Sequence, residues 1–155
     1  MGDVALMRRA IELSSRSTKQ NGGPFGAVVA LEGRIIGEGV NQVVASRDPT
    51  AHAEICAIRM ACAEIRSHQL TGCEIYTSCE PCPMCLSAIW WARIARIYYG
   101  NTQADAAAIG FDDNAFYREL SLPPSQRTVA AEQLCGHEAK VVFDEWFKNP
   151  QRILY

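Results

Sequence analysis

The chain has 155 residues, 48% of them hydrophobic and 21% charged, and a formal net charge of −2. That is the size and balance of one globular domain with room for a core. It excludes a general electrostatic pull towards nucleic acid or anionic membrane. No run of about 18 apolar residues offers a membrane span.

In chain order, Asp3 is placed to cap a first helix that runs to about Ser17, with Leu6, Met7, Ala10, Ile11 and Leu13 as its apolar stripe. "KQNGGPFG" interrupts the chain. "AVVAL" and "RIIGEGV", joined by Glu32-Gly33, read as a β-hairpin with Asn41 at its end. "RDPTAHAEICAIRMACAEIR" reads as a helix with Asp48 as N-cap and Pro49 at the first helical position, and Ile55, Ile58, Ala61, Cys62 and Ile65 at helical spacing. "CEIYTS" is a strand, "CPMCLSAIWWARI" a helix and "ARIYYG" another strand. "AAAIGFDDNAFYREL" mixes turn and helix, and "SLPPSQR" is a loop. "RTVAAEQL" reads as a last strand, and "HEAKVVFDEWFKN" as a closing amphipathic helix ended by Pro150. Strands alternating with helices imply an α/β sandwich with a mixed sheet: the hairpin supplies an antiparallel pair, and the two later strands run parallel.

Seven cysteines is an odd number. "MGDVALMRRAIELSSRS" does not read as a secretory leader, so the expected compartment is the reducing cytoplasm, where clustered cysteines suggest metal before disulfide. Cys79, Cys82 and Cys85 fall at equal intervals. A bacterial ferredoxin run needs a further Cys-Pro where Ile89 and Trp90 stand. A structural zinc site needs four ligands, usually two separated pairs, and Cys56, Cys62 and Cys73 form no second pair. A catalytic zinc needs three protein ligands. Cys82 and Cys85 share one face at a helix start, where the helix dipole favours thiolate. His52, at the start of another helix, supplies a third ligand, and Glu54 stands beside it. A single C-x2-C is a weak signal and a single His-Ala-Glu is close to noise. The two together, each at a helix start after a proline-bearing turn, are far more specific.

"HAE" followed by "PCPMC" resembles the zinc-dependent cytidine-deaminase-like superfamily, whose signature is H-x-E and then P-C-x-x-C. Within it, "GGPFGAVV", "RDPTAHAE", "YTSCEPCPMC" and "GFDD" resemble the bacterial guanine deaminases. The resemblance implies a three-layer α/β/α sandwich around a mixed five-stranded sheet, formed by residues 1–155 as one domain. It implies one Zn2+ per subunit held by His52, Cys82 and Cys85, with Glu54 carrying protons and Cys79 left as a structural residue. It also implies hydrolysis of guanine to xanthine and ammonia. Asp113 would enter the site and relay a proton to the leaving amine; Phe25, Asn41, the Ala53 N–H and Trp91 would meet the base. The same resemblance implies a homodimer in which the segment of about 128–155 is exchanged between subunits and Tyr155 closes the partner's pocket, with Pro123-Pro124 as hinge.

The residues themselves leave other readings open. "GFDDN" alone is a turn in which Asp113 caps the next helix, and Asn41 is a strand-end residue. Trp90 and Trp91 point about 100° apart, so both can serve core or interface. On substrate, guanine offers adjacent donors at N1–H and the 2-amino group that one carboxylate can accept, whereas adenine presents an acceptor at N1 and would leave that carboxylate unpaired. A tRNA adenosine deaminase would want a basic rim, against 15 basic and 17 acidic residues here. Guanosine deaminase is the nearer rival, then cytosine deaminase. A non-catalytic zinc module would have no use for Glu54.

Overall fold

Glu32 and Gly33 take positive φ angles of 51° and 77°, which reverses the chain between β1 (Gly26–Leu31) and β2 (Arg34–Val40). The computed structural model describes residues 2–154. Those residues divide into two compact units, one up to Asn114 and one from Ala115.

The first unit is built on a mixed sheet. β1 pairs antiparallel with β2 and with β3 (Glu74–Cys79), and β3 pairs parallel with β4 (Arg96–Asn101), giving the order β2-β1-β3-β4. On one face lies α1 (Val4–Lys19), whose Leu6, Ala10 and Leu13 pack on Val28, Ala30 and Tyr76. Asp3 caps α1 as its sequence position suggested, accepting from the Ala5 N–H at 2.7 Å. On the other face lie α3 (Ala53–Ile65) and α4 (Pro83–Trp91), which close a core of Val29, Ile36, Leu70, Ile75 and Ile89. The three expected layers are therefore present.

Ala53, Ala57 and Ala61 form an i, i+4 stripe on α3 with no solvent exposure. They face Gly37 and Gly39 of β2, and a Cβ on Gly39 would run into the Ala53 carbonyl oxygen. Small residues on both sides let the helix backbone lie directly on the strand, which fixes the start of α3 at the sheet end.

Two expectations are corrected. Asp48 does not cap α3: its carboxylate accepts from the Thr50 N–H and hydroxyl at 2.8 and 2.7 Å, an Asx turn, and the helix starts at Ala53. The short α2 (Val43–Ser46) precedes that turn. Among the described residues the sheet has four strands, not five. The stretch 127–134 forms no ladder; its large apolar side chains, Val129 and Leu134, are 80% and 75% exposed. They stand five residues apart, so the stretch lacks the alternation that would give a strand one apolar face.

Two short helices follow the sheet: α5 (Gln103–Ala108), closed at its start by a Thr102–Asp105 capping box, and α6 (Asn114–Ser121). In the second unit, Thr128 donates to Glu119 through both N–H and hydroxyl at 2.8 Å, after a 3-10 turn at Pro124–Gln126. The closing α7 (Gly136–Lys148) is ended before Pro150 as read. Arg152 lies over the Phe147 ring at 4.9 Å.

Candidate metal centre and active site

His52 and Cys82 are the N-caps of α3 and α4, both with extended backbone, and Pro83 opens α4 with a preset φ. N-caps are usually Ser, Thr, Asp or Asn, which bond a first-turn N–H. Neither His52 nor Cys82 makes such a bond. Their side chains turn towards each other instead: His52 Nδ1 lies 3.6 Å from Cys82 Sγ and 3.5 Å from Cys85 Sγ. All three donor atoms lie within 4.8 Å of one another.

These distances test the fit of a tetrahedral zinc ion. Zn–S bonds of about 2.3 Å and Zn–N bonds of about 2.0–2.1 Å, at tetrahedral angles, separate N and S by about 3.5 Å. The observed separations match. One imidazole and two thiolates are a donor set that zinc accepts, and three protein donors leave a tetrahedral ion one corner for a small molecule. Electrostatics agree: the hydrogen bond from Cys85, with help from His52, draws the Cys82 thiol down to about 4, while that shared bond and burial push Cys85 up. His52 is raised by its contact with Cys82. A divalent cation held in the triangle would permit both sulfurs to be thiolate.

The triangle opens into a cavity lined by Phe25, Glu54, Cys79, Glu80, Phe111 and Asp113 together with His52 and Cys82. Glu54 is 6% exposed, and burial raises its carboxyl above the ordinary carboxylate range. Thr77 Oγ1 donates to the Cys79 carbonyl at 2.9 Å and lies 3.5 Å from the Glu54 carboxyl. Asp113 is half-buried and is raised first by burial and then by the negative Cys82. The capping role falls to its neighbour: Asp112 Oδ1 accepts from the Asn114 N–H at 3.0 Å, which leaves Asp113 to face the cavity. Burial pushes the Cys79 thiol up to about 11, and its sulfur contacts the Thr102 carbonyl at 3.8 Å, so it is a neutral wall residue.

The remaining sequence-derived residues are placed as follows. Asn41 Oδ1 accepts from the Val43 N–H at 3.3 Å, and the Asn41 N–H donates to the Phe25 carbonyl at 3.2 Å. That ties Asn41 to Phe25, although Asn41 does not itself line the cavity. Ala53 is fully buried as the first residue of α3, where helix geometry leaves N–H groups without intrahelical partners. Trp91 sits in the last turn of α4, about 12 Å along the helix from Pro83, and is 59% exposed in the single chain. Tyr155 lies outside the described residues. Glu80 and Phe111 line the cavity and were not singled out from sequence, although both lie inside quoted motifs, "SCEPC" and "GFDD".

Residues 2–101 match the model of the cytidine and deoxycytidylate deaminase zinc-binding region. The chain is 46% identical over 147 residues to the guanine deaminase of Bacillus subtilis (strain 168), covering 94% of each. It is 40% identical over 149 residues to the tRNA-specific adenosine deaminase of Haemophilus influenzae, covering 92% of this chain and 84% of that one. The X-ray structure of the Bacillus subtilis guanine deaminase superposes with a TM-score of 0.95 at 44% identity, over 100% of this chain and 99% of the other. With its His52–Cys82–Cys85 triangle and the adjacent Glu54, the chain belongs to the cytidine and deoxycytidylate deaminase zinc-binding family.

Proposed function

We propose that this chain is a zinc-dependent hydrolase that converts guanine to xanthine and ammonia. The observation that carries the reading is the placement of the Asp113 carboxyl in the same cavity as Glu54 and the ligand triangle. One carboxylate there handles the water, and the other is available to a ring that presents paired N–H donors. Likeness to the Bacillus subtilis guanine deaminase supports it, because that likeness runs through the 110–113 turn and on to the second unit.

When bound to His52, Cys82 and Cys85, zinc acts as a Lewis acid that makes water acidic enough to attack at neutral pH. Glu54 takes a proton from the attacking water and passes it to ring N3 as a C–O bond forms at C2. Its burial keeps it near the site and away from bulk solvent. Asp113 accepts from the N1–H and 2-amino edge and relays the remaining hydroxyl proton to the amine. The C2–N bond then breaks and ammonia leaves. Phe25, braced by its bond from Asn41, forms a wall for the ring, and the Ala53 N–H is offered to the base at the start of α3.

The protein acts as a homodimer in which the segment 128–155 is exchanged and Tyr155 closes the partner's site. What supports this is the exposure of Val142, Phe143 and Phe147 on α7 and of Ile153 and Leu154 beyond it, an apolar face of the kind that marks an interaction surface. No helix among the described residues is long and apolar enough to cross a membrane, and the expected setting is the cytoplasm. The test is ammonia release from guanine, guanosine, adenine, cytosine and tRNA by the zinc-loaded protein. Guanine is expected to be turned over best. Preference for adenosine in tRNA would reject the substrate assignment, and preference for guanosine would reject only the choice of free base.

A further inference from the structure

Asp113 stands on a turn of four residues, 110–113, between α5 and α6. Backbone bonds pin the turn at its start: the Gly110 N–H donates to the Ala107 carbonyl and the Phe111 N–H to the Ala106 carbonyl, each at 3.0 Å, and Gly110 takes a φ of 98°. At its end, Asp112 accepts from the Asn114 N–H. Between these anchors, the Phe111 ring meets the Phe25 ring edge-on, with centroids 4.9 Å apart and planes at 86°. Phe25 is itself held from two sides, by its N–H to the Gly23 carbonyl at 2.8 Å and its carbonyl to the Asn41 N–H. Phe111 is 44% exposed, so its ring is not a core residue. A large aromatic left half in solvent and pressed edgewise on a wall residue of the cavity is better explained by what it holds in place than by what it buries.

We propose that Phe111 is a positioning residue: its edge contact with Phe25 fixes the 110–113 turn and so sets where the Asp113 carboxylate stands relative to Glu54 and His52. The proposal rests on the functional reading of Asp113 given above. Truncating the ring frees the middle of the turn while leaving its two ends bonded. The carboxylate then samples positions from which it meets the reacting edge less often, and a displacement of about 1 Å is enough to cost on the order of 100-fold in rate.

The test is a double-mutant cycle on the zinc-loaded full chain, using Phe111→Ala, Asp113→Asn and the double variant, with zinc content and melting temperature measured on each. Phe111→Ala is expected to lower kcat about 10- to 100-fold with a smaller change in KM. It is expected to add nothing further in the Asp113→Asn background, and Phe111→Tyr, which keeps the ring, is expected to recover most of the lost turnover. Should Phe111→Ala not fold, Phe111→Leu enters the same cycle. Losses that multiply in the double variant, or a loss confined to KM, overturn the positioning role while leaving Asp113 in place. Full activity in Asp113→Asn overturns both the role of Asp113 and the inference built on it.

Discussion

At the starts of α3 and α4, His52 and Cys82 fill positions where a hydroxyl or carboxylate would bond a first-turn N–H, and neither does so. Such departures from local preference gather where function has claimed a residue. They also explain why the ligand set was legible in sequence: His-x-Glu and Cys-x2-Cys carry fixed spacing. Glu54→Ala is expected to lower kcat by about 10²–10⁴ while one zinc per subunit stays bound, checked by kinetics beside elemental analysis; loss of the zinc would mean that Glu54 serves the metal rather than the proton. Cys79→Ser is expected to keep that zinc count and the measured melting temperature to within a few degrees, because its sulfur is a neutral wall and stands outside the ligand triangle. Phe111 was not legible, because an aromatic in a turn carries no spacing signal, and its relation to Phe25 spans 86 positions of chain.

Among the elements, the packing of α3 on β2 decides whether the site exists. Gly37 and Gly39 have no room for a Cβ against the α3 backbone. Gly39→Ala is therefore expected to destabilise the fold by about 1–3 kcal/mol or more and to weaken zinc binding as well, since the strain falls at Ala53, between His52 and Glu54; denaturant melts and zinc titration read the two effects. A second joint ties α1 to β2: Arg9 Nε and Nη2 donate to the two Glu38 carboxylate oxygens at 2.7 and 2.9 Å. That bond holds the Glu38 carboxyl below its ordinary 4.5. The stability it supplies is present above pH 4.5 and is lost as the pH falls through the lower folded value. Glu38→Gln is expected to cost up to about 1 kcal/mol at pH 7, with the gap to the unsubstituted chain closing below pH 4.5 in acid melts. The pattern of apolar residues located the four strands and the long helices to within a few residues. It misplaced the start of α3, because Asp48-Pro49 also suits an Asx turn, and it counted 127–134 as a strand on two apolar residues that no partner strand engages.

For the whole molecule, the first unit could be read from sequence because its strands pair and its helices cover them within that unit. The second reads from sequence as helices, loops and a strand at 127–134 that the structure lacks; α7 is amphipathic on its own terms, and nothing in its spacing says which surface it meets. The exchanged-segment dimer has a direct test. A heterodimer is made from one subunit carrying Glu54→Ala and another truncated after Asn149. If tails cross, the intact tail of the first closes the working site of the second, so mixing two nearly inactive proteins is expected to restore up to one active site per dimer. Ammonia release that stays at the level of the separate proteins, or a monomer in light scattering, would count against the exchange.

The two ligand helices are seated on the sheet, whereas the turn carrying Asp113 hangs from α5 and leans on Phe25. If Asp113 selects the base as proposed, hydrolytic power and choice of base are anchored in separate parts of the chain. On that reading, replacing residues 110–113 alone is expected to retune which heterocycle is admitted and leave the metal cradle intact, so one scaffold is free to diversify its diet without having to reinvent its chemistry.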